Sequence, residues 1–139
     1  MLSIFDVLNY FKELNNEYDL GIENFYCGKL DNKKLKSLGF YDLKSAAPAI
    51  PVGGLSNKTF KELNITLLIH YNKDYIETEK ASYKIYDLLL QLNEELDLKI
   101  NNYKINYIEL LSSNEDVGTD DNGVYERVIQ FKLNYEWRG

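Results

Sequence analysis

Four carboxylates crowd one short stretch of this 139-residue sequence: Glu115, Asp116, Asp120 and Asp121 all fall within NEDVGTDDNG at 114–123. Clustered carboxylates can hold a hard cation through oxygen ligands. The order here is not that of a helix-flanked calcium loop, which needs alternate ligands, a central glycine and a closing Glu. The segments on either side read as strands, so a solvated acidic loop is the better reading. His70 is the sole histidine, and a nucleophilic triad would have to be built on it with a Ser or Cys and an orienting carboxylate. Nothing nearby supplies one. On the less apolar row of a strand, His70 is expected to be partly exposed or hydrogen-bonded to a neighbour. Cys27 is the lone cysteine; it cannot form an internal disulfide and reads as an inert core or strand residue. Gly53 and Gly54 lack the Lys and Ser or Thr of a phosphate loop, which leaves a turn. Carboxylate pairs for acid–base work are set by tertiary distance, and no spacing singles one out.

Charge narrows the choice of partners. A formal net charge of −6 with a pI near 4.8 opposes a broad duplex-DNA footprint, which needs clustered Lys and Arg. The same charge suits the wall of a passage through which nucleic acid slides without sticking. Twelve tyrosines could form a stacking platform for unpaired bases. The acidic balance argues against it, and core or protein-interface positions fit tyrosine better.

The elements that must position these residues follow from periodicity. The length is that of one domain, expected over 1–139. No apolar run approaches the roughly 20 residues of a bilayer span. The N-terminal stretch lacks the basic region of a signal peptide, so the chain is expected to stay where it is made. Ile4, Phe5, Leu8, Phe11 and Leu14 at three-to-four spacing behind Ser3 predict an amphipathic helix, with Gly21 available to end the segment. Residues 25–30 read as a short strand. Residues 33–45 show no dominant period, giving an irregular connection or a short strand near Phe40. AAPAIPVGGL at 46–55 holds Pro48 and Pro51, which fits an edge strand or extended arm. Leu63, Ile65, Leu67, Ile69 and Tyr71 alternate with polar neighbours, the strongest strand pattern in the chain; Leu68 on the opposite row suggests partial cover on the second face. Ala81, Ile85, Leu88, Leu89, Leu92 and Leu96 form the stripe of a long helix over 74–96. A turn at Asn101-Asn102 leads to alternating strands at 103–112 and 124–137, joined by the acidic loop. The fold class is α+β: a mixed, mostly antiparallel sheet flanked by an N-terminal helix and a long central helix. A ferredoxin-like sandwich is the alternative, because strand, helix, strand, strand from Leu63 onward is half of that fold.

The order of APAIPVGGL, LNITLLIHYNKD and YIETEKASYKIYDLL resembles the tail-terminator, or minor capsid, proteins of tailed bacteriophages. Pro48, Pro51, Gly53, Gly54, His70, Tyr71, Asn72, Glu77, Thr78 and Glu79 stand at the matching places. That resemblance implies a non-enzymatic virion subunit, made in the bacterial host cytoplasm and assembled as a homo-oligomeric ring, commonly a hexamer, at the head-proximal end of the tail tube. The tail tube protein and the head–tail connector or stopper would be its partners; DNA would cross the lumen without specific binding. No cofactor, metal or membrane is implied. The arm at 44–55, with Pro48, Pro51, Gly53 and Gly54, and the loop with Glu115, Asp116, Asp120 and Asp121 are the expected interface. Two competing readings are another neck or tube component of a phage or phage-tail-like bacteriocin, and a small metal-dependent hydrolase using the clustered carboxylates.

Overall fold

The computed structural model describes residues 1–43, 60–95 and 98–137. The arm containing Pro48, Pro51, Gly53 and Gly54 lies outside the described residues, as does Leu96.

Helix α1 (Ile4–Tyr18) begins where the spacing predicts. The Asp6 amide donates to Ser3 Oγ, and the Ser3 amide donates back to the Asp6 carboxylate. This reciprocal box satisfies two donors that a helix start leaves orphaned. Its buried face is Val7, Leu8, Phe11 and Leu14; Phe5 points outward instead. The helix stops at Asp19, whose left-handed φ of 52° carries the turn, and not at Gly21.

Among the described residues seven strands form one sheet. They are β1 (Asn24–Cys27), β2 (Ser37–Asp42), β3 (Lys61–His70), β4 (Lys99–Ile100), β5 (Tyr103–Leu110), β6 (Glu115–Thr119) and β7 (Tyr125–Trp137). The order across the sheet is β1-β2-β3-β7-β5-β4, with β6 also paired to β7. Only β1 and β2 run parallel. Residues 37–42, where no period dominates, therefore form an internal strand between β1 and β3. The long strand β7 organises the rest: β3 pairs with one edge from Lys61↔Tyr135 to His70↔Glu126. Its opposite edge is shared by β5 and then β6.

Helix α2 (Tyr75–Leu92) follows β3 and buries Ala81, Ile85, Leu88, Leu89 and Leu92, the stripe that the spacing marks. Both helices cover the same face. Phe11 of α1 meets Phe40 of β2 at 5.2 Å and Phe131 of β7 at 6.2 Å between ring centroids. Arg127, on the same row of β7 as Phe131, lies 5.6 Å from the Tyr83 ring of α2. Ile65, Leu67, Ile69, Ile129 and Phe131 complete that core with no exposed surface. Burying one such side chain stabilises the fold by about 1.5–3 kcal/mol, so the alternation on β3 and β7 fixes which face meets the helices.

Two local departures from simple alternation matter. A bulge between Ile105 and Tyr107 shifts the register of β5 on β7, so Ile105 and Ile108 are buried while Tyr107 is 45% exposed. The extra residue, Asn106, donates from Nδ2 to the buried Asn134 Oδ1 at 2.8 Å. The second departure is β6 itself: the expected solvated loop at 114–123 contains a strand paired to β7.

Candidate functional site

The resemblance residues from His70 to Glu79 and the acidic hairpin meet at one end of the sheet. Asn72, just past β3, organises the start of α2. Its Oδ1 accepts the Asp74 amide at 2.9 Å and the Thr78 hydroxyl at 3.2 Å, while its Nδ2 donates to Glu77 Oε2 at 2.8 Å. Asp74 is the N-cap, and its Oδ1 accepts the Ile76 and Glu77 amides. A carboxylate at a helix N-terminus also complements the macrodipole. The backbone of the same segment is stitched to its neighbours: the Lys36 amide donates to Tyr71 O, the Tyr71 amide to Tyr125 O, and the Tyr125 amide to Asn72 O. The residues HYN therefore join β2, β3, α2 and β7, which is an architectural task.

His70 is wholly buried, more enclosed than the partial exposure its row suggests, and the expected hydrogen bond to a neighbour is present. Its Nδ1 is 3.0 Å from Glu126 Oε2 and its Nε2 is 3.3 Å from Asn32 O. Asp120 Oδ2 is 3.7 Å from Nδ1. The helices do not enclose this ring, since His70, Ser37 and Glu126 pair across the opposite face. The 29–36 connection, through Asn32, and the turn at 120–124 reach over it.

The hairpin that carries the four carboxylates is ordered from within. Asp120 Oδ1 accepts the Asn122 and Val124 amides at 2.9 and 3.0 Å, an Asx turn closed by Gly123 at φ 79°. Its other oxygen, Oδ2, is buried and has no hydrogen-bond partner among the described residues. Burial pushes the Asp120 carboxyl up, but the Val124 and Asn122 amides with the charges of His70 and Lys73 outweigh it and hold it below its ordinary value. Glu115, Asp116 and Asp121 are exposed. Glu115 and Asp116 are adjacent on β6 and so face opposite sides of the sheet. The four carboxylates do not converge, and among the described residues no group of three or more His, Cys, Asp and Glu side chains is placed to hold a metal ion.

Sequence reasoning missed the anchor of this hairpin. Arg127 is 5% exposed and donates through Nε to Asn114 Oδ1 and through Nη2 to Asn114 O, both at 3.1 Å. Asn114 Nδ2 in turn donates to Ser82 Oγ at 2.9 Å. The only sequence signal was an Arg at a position whose row neighbours, Ile129 and Phe131, are core residues.

On the face away from the helices Lys132 bridges Glu62 and Glu109 at 2.9 and 3.0 Å. The hydrogen bonds that it donates to both carboxylates push its ammonium group up to about 12. Cys27 ends β1 and is exposed; desolvation raises its thiol above the ordinary value despite Lys12, which makes it a poor nucleophile. An open hollow of about 420 Å³ lies along residues 26–33. Its lining includes Tyr26, Lys29 and Lys33, but neither His70 nor any hairpin carboxylate. A second, of about 320 Å³, lies between the end of α1 and the start of α2. Its lining includes Asp19, Glu77, Lys80 and Lys84.

Comparison with known families gives one result that bears on this arrangement: a family model described as bacteriophage tail terminator protein matches residues 13–137. A comparison with curated proteins gives no match.

Proposed function

The chain belongs to the bacteriophage tail terminator family, and from that premise we propose that it is a structural virion protomer that closes into a ring, hexameric in the resemblance reading, at the head-proximal end of the tail tube. There it stops tube polymerisation and offers the connector or stopper a surface. The family match across 13–137 is the observation that carries this reading.

The geometry supports it. A ring needs two different, complementary surfaces on each copy, related by a rotation that closes. The strands β1 and β4 end the sheet order, and strand edges are templates for pairing with another chain. On α2, Ile76, Tyr83 and Leu90 recur every seven residues and stay 60%, 48% and 48% exposed, so one helix line offers apolar area outward. Trp137 is 62% exposed at the end of β7, and Trp and Tyr are enriched in protein interfaces. The acidic hairpin, with the arm that carries Pro48, Pro51, Gly53 and Gly54, is the proposed contact with neighbouring copies or the tube. The net charge of −6 would let DNA pass the lumen unbound. Among the described residues no helix is long and apolar enough to cross a membrane.

Electron microscopy of the purified chain mixed with tail tubes tests the proposal. A ring at one end only, with tubes that no longer elongate there, is the expected image. Binding along the tube wall, or at neither end, would assign the chain to another part of the neck or tube.

A further inference from the structure

A single row of paired residues crosses one end of the sheet: Asn24, Ser37, His70, Glu126 and Gly118. At this end β1 and β6 are the two opposite edges, separated by four strand spacings or about 19 Å. The edges carry unlike charge. On the β6 side Glu115 and Asp116 are exposed, and Val117, at the bulge between Asp116 and Gly118, is 51% exposed. On the β1 side the 29–36 connection folds back over β1 and β2: Asn24 Nδ2 donates to Leu35 O at 3.0 Å, and Leu30 Cδ1 lies beside Gly39. This connection holds four lysines against one aspartate in a chain of net charge −6, and Lys29, Lys33 and Lys34 are exposed. Among the described residues neither these lysines nor Glu115 and Asp116 enter an ion pair, so both sets of charge are open to another molecule. Lys29 and Lys33 also line the open hollow of about 420 Å³, together with Tyr26 and Leu30. An apolar wall with a cationic rim is the counterpart of an apolar knob beside two carboxylates.

We propose that the β6 edge of one copy docks on the β1 side of the next, with Val117 entering the hollow at 26–33 and Glu115 and Asp116 meeting Lys29 and Lys33. The inference rests on the ring reading, because a head-to-tail contact is what brings two different edges of one chain together. The four intervening spacings hold the two sets of charge apart within a copy, so their attraction is satisfied between copies. Like edges repel: β6 against β6 sets carboxylate against carboxylate, and the lysines of two β1 sides do the same. That repulsion disfavours a two-fold pair through either edge and selects one direction around the ring.

Charge exchange in the full chain tests the contact. Glu115→Lys with Asp116→Lys leaves both edges basic, and Lys29→Glu with Lys33→Glu leaves both acidic. Each pair is expected to weaken self-association by about tenfold or more in light scattering. All four substitutions together exchange the signs and should restore association of the chain with itself. Urea midpoints equal to the parent's establish that the variants are folded. Asp116 Oδ1 also accepts the Gly118 amide at 2.9 Å, so Glu115→Lys alone, weakened and then rescued by Lys33→Glu, gives the same comparison with that bond in place. The proposal is overturned by half-exchanged chains that associate like the parent, by folded exchanged chains that stay as weak as their halves, or by a parent that remains monomeric at every concentration. Association is measured without tubes, so these failures leave tube capping untouched. A chain that associates through these edges yet caps no tube would sink the terminator reading alone.

Discussion

Position 39 admits no side chain while Tyr41 lies where it does. A Cβ added to Gly39 would stand 2.8 Å from Tyr41 Cε2 and 3.1 Å from its hydroxyl oxygen, with Leu30 Cδ1 at 3.3 Å. The Leu30 backbone acts on the Tyr41 hydroxyl, an interaction the ring would give up on swinging aside. Gly39→Ala is expected to destabilise the chain by about 1–3 kcal/mol, the range for overpacking a filled site. Urea denaturation reads this as a lower midpoint at unchanged slope. Tyr41→Thr in the same chain removes the obstruction, so the cost of Gly39→Ala should largely disappear in the double variant. A Gly39→Ala chain as stable as the parent would show that Tyr41 moves freely. Neither this contact nor the burial of His70 was legible in the sequence, because both depend on the 29–36 connection folding over the sheet. That stretch holds four lysines among its eight residues and has no period to announce a packing role.

At the scale of elements, the sequence was most legible where one face is buried along a whole element. The alternation of Leu63, Ile65, Leu67 and Ile69 and the stripe from Ala81 to Leu92 each repeat a single environment, so β3 and α2 could be read directly. Legibility failed where an element borrows its order from a neighbour. The strand β6, EDVGT, has low strand propensity, and it exists because β7, with 13 residues, outruns β5, with 8. The bulge at Asn106 likewise answers Asn134 across the ladder, and nothing local signals it. The hairpin formed by β6 and β7 consequently depends on its turn. Asp120→Ala removes the acceptor of two backbone amides, and a loss of about 1–2 kcal/mol is expected by analogy with helix caps that satisfy the same kind of donor. Asp121→Ala, on an exposed side chain, should stay within about 0.5 kcal/mol. The pH dependence has a definite sign. Because the folded state holds the Asp120 carboxyl below its ordinary value, its contribution is present above the usual carboxylate range and is lost as pH falls through the lowered value. Stability curves of parent and Asp120→Ala should therefore converge in acid; a gap that widens in acid would contradict the assignment.

For the molecule as a whole, the hairpin is part of the sheet and also the most acidic exposed feature of the proposed contact surface. Cutting it out would strip the β6 ladder from β7, so a failure to assemble would say nothing about contact. Charge can be removed while the ladder stays. Glu115, Asp116 and Asp121 are exposed, and Glu115→Gln, Asp116→Asn and Asp121→Asn together keep side-chain size and amide pairing. Exposed substitutions of this kind change stability by about 0.5 kcal/mol or less each, so the unfolding midpoint should barely move. If these carboxylates face cationic groups on a neighbouring copy or on the tube, the triple variant should assemble less completely by light scattering and cap fewer tubes. Assembly of the parent should weaken in the same direction as salt rises, because contacts between exposed charges are screened over about 8–10 Å at physiological ionic strength. A triple variant that forms rings and caps tubes like the parent would move the contact elsewhere. The edge of β1 that no described strand pairs and the apolar line of Ile76, Tyr83 and Leu90 would then be the surfaces to substitute next, because neither depends on the charges removed.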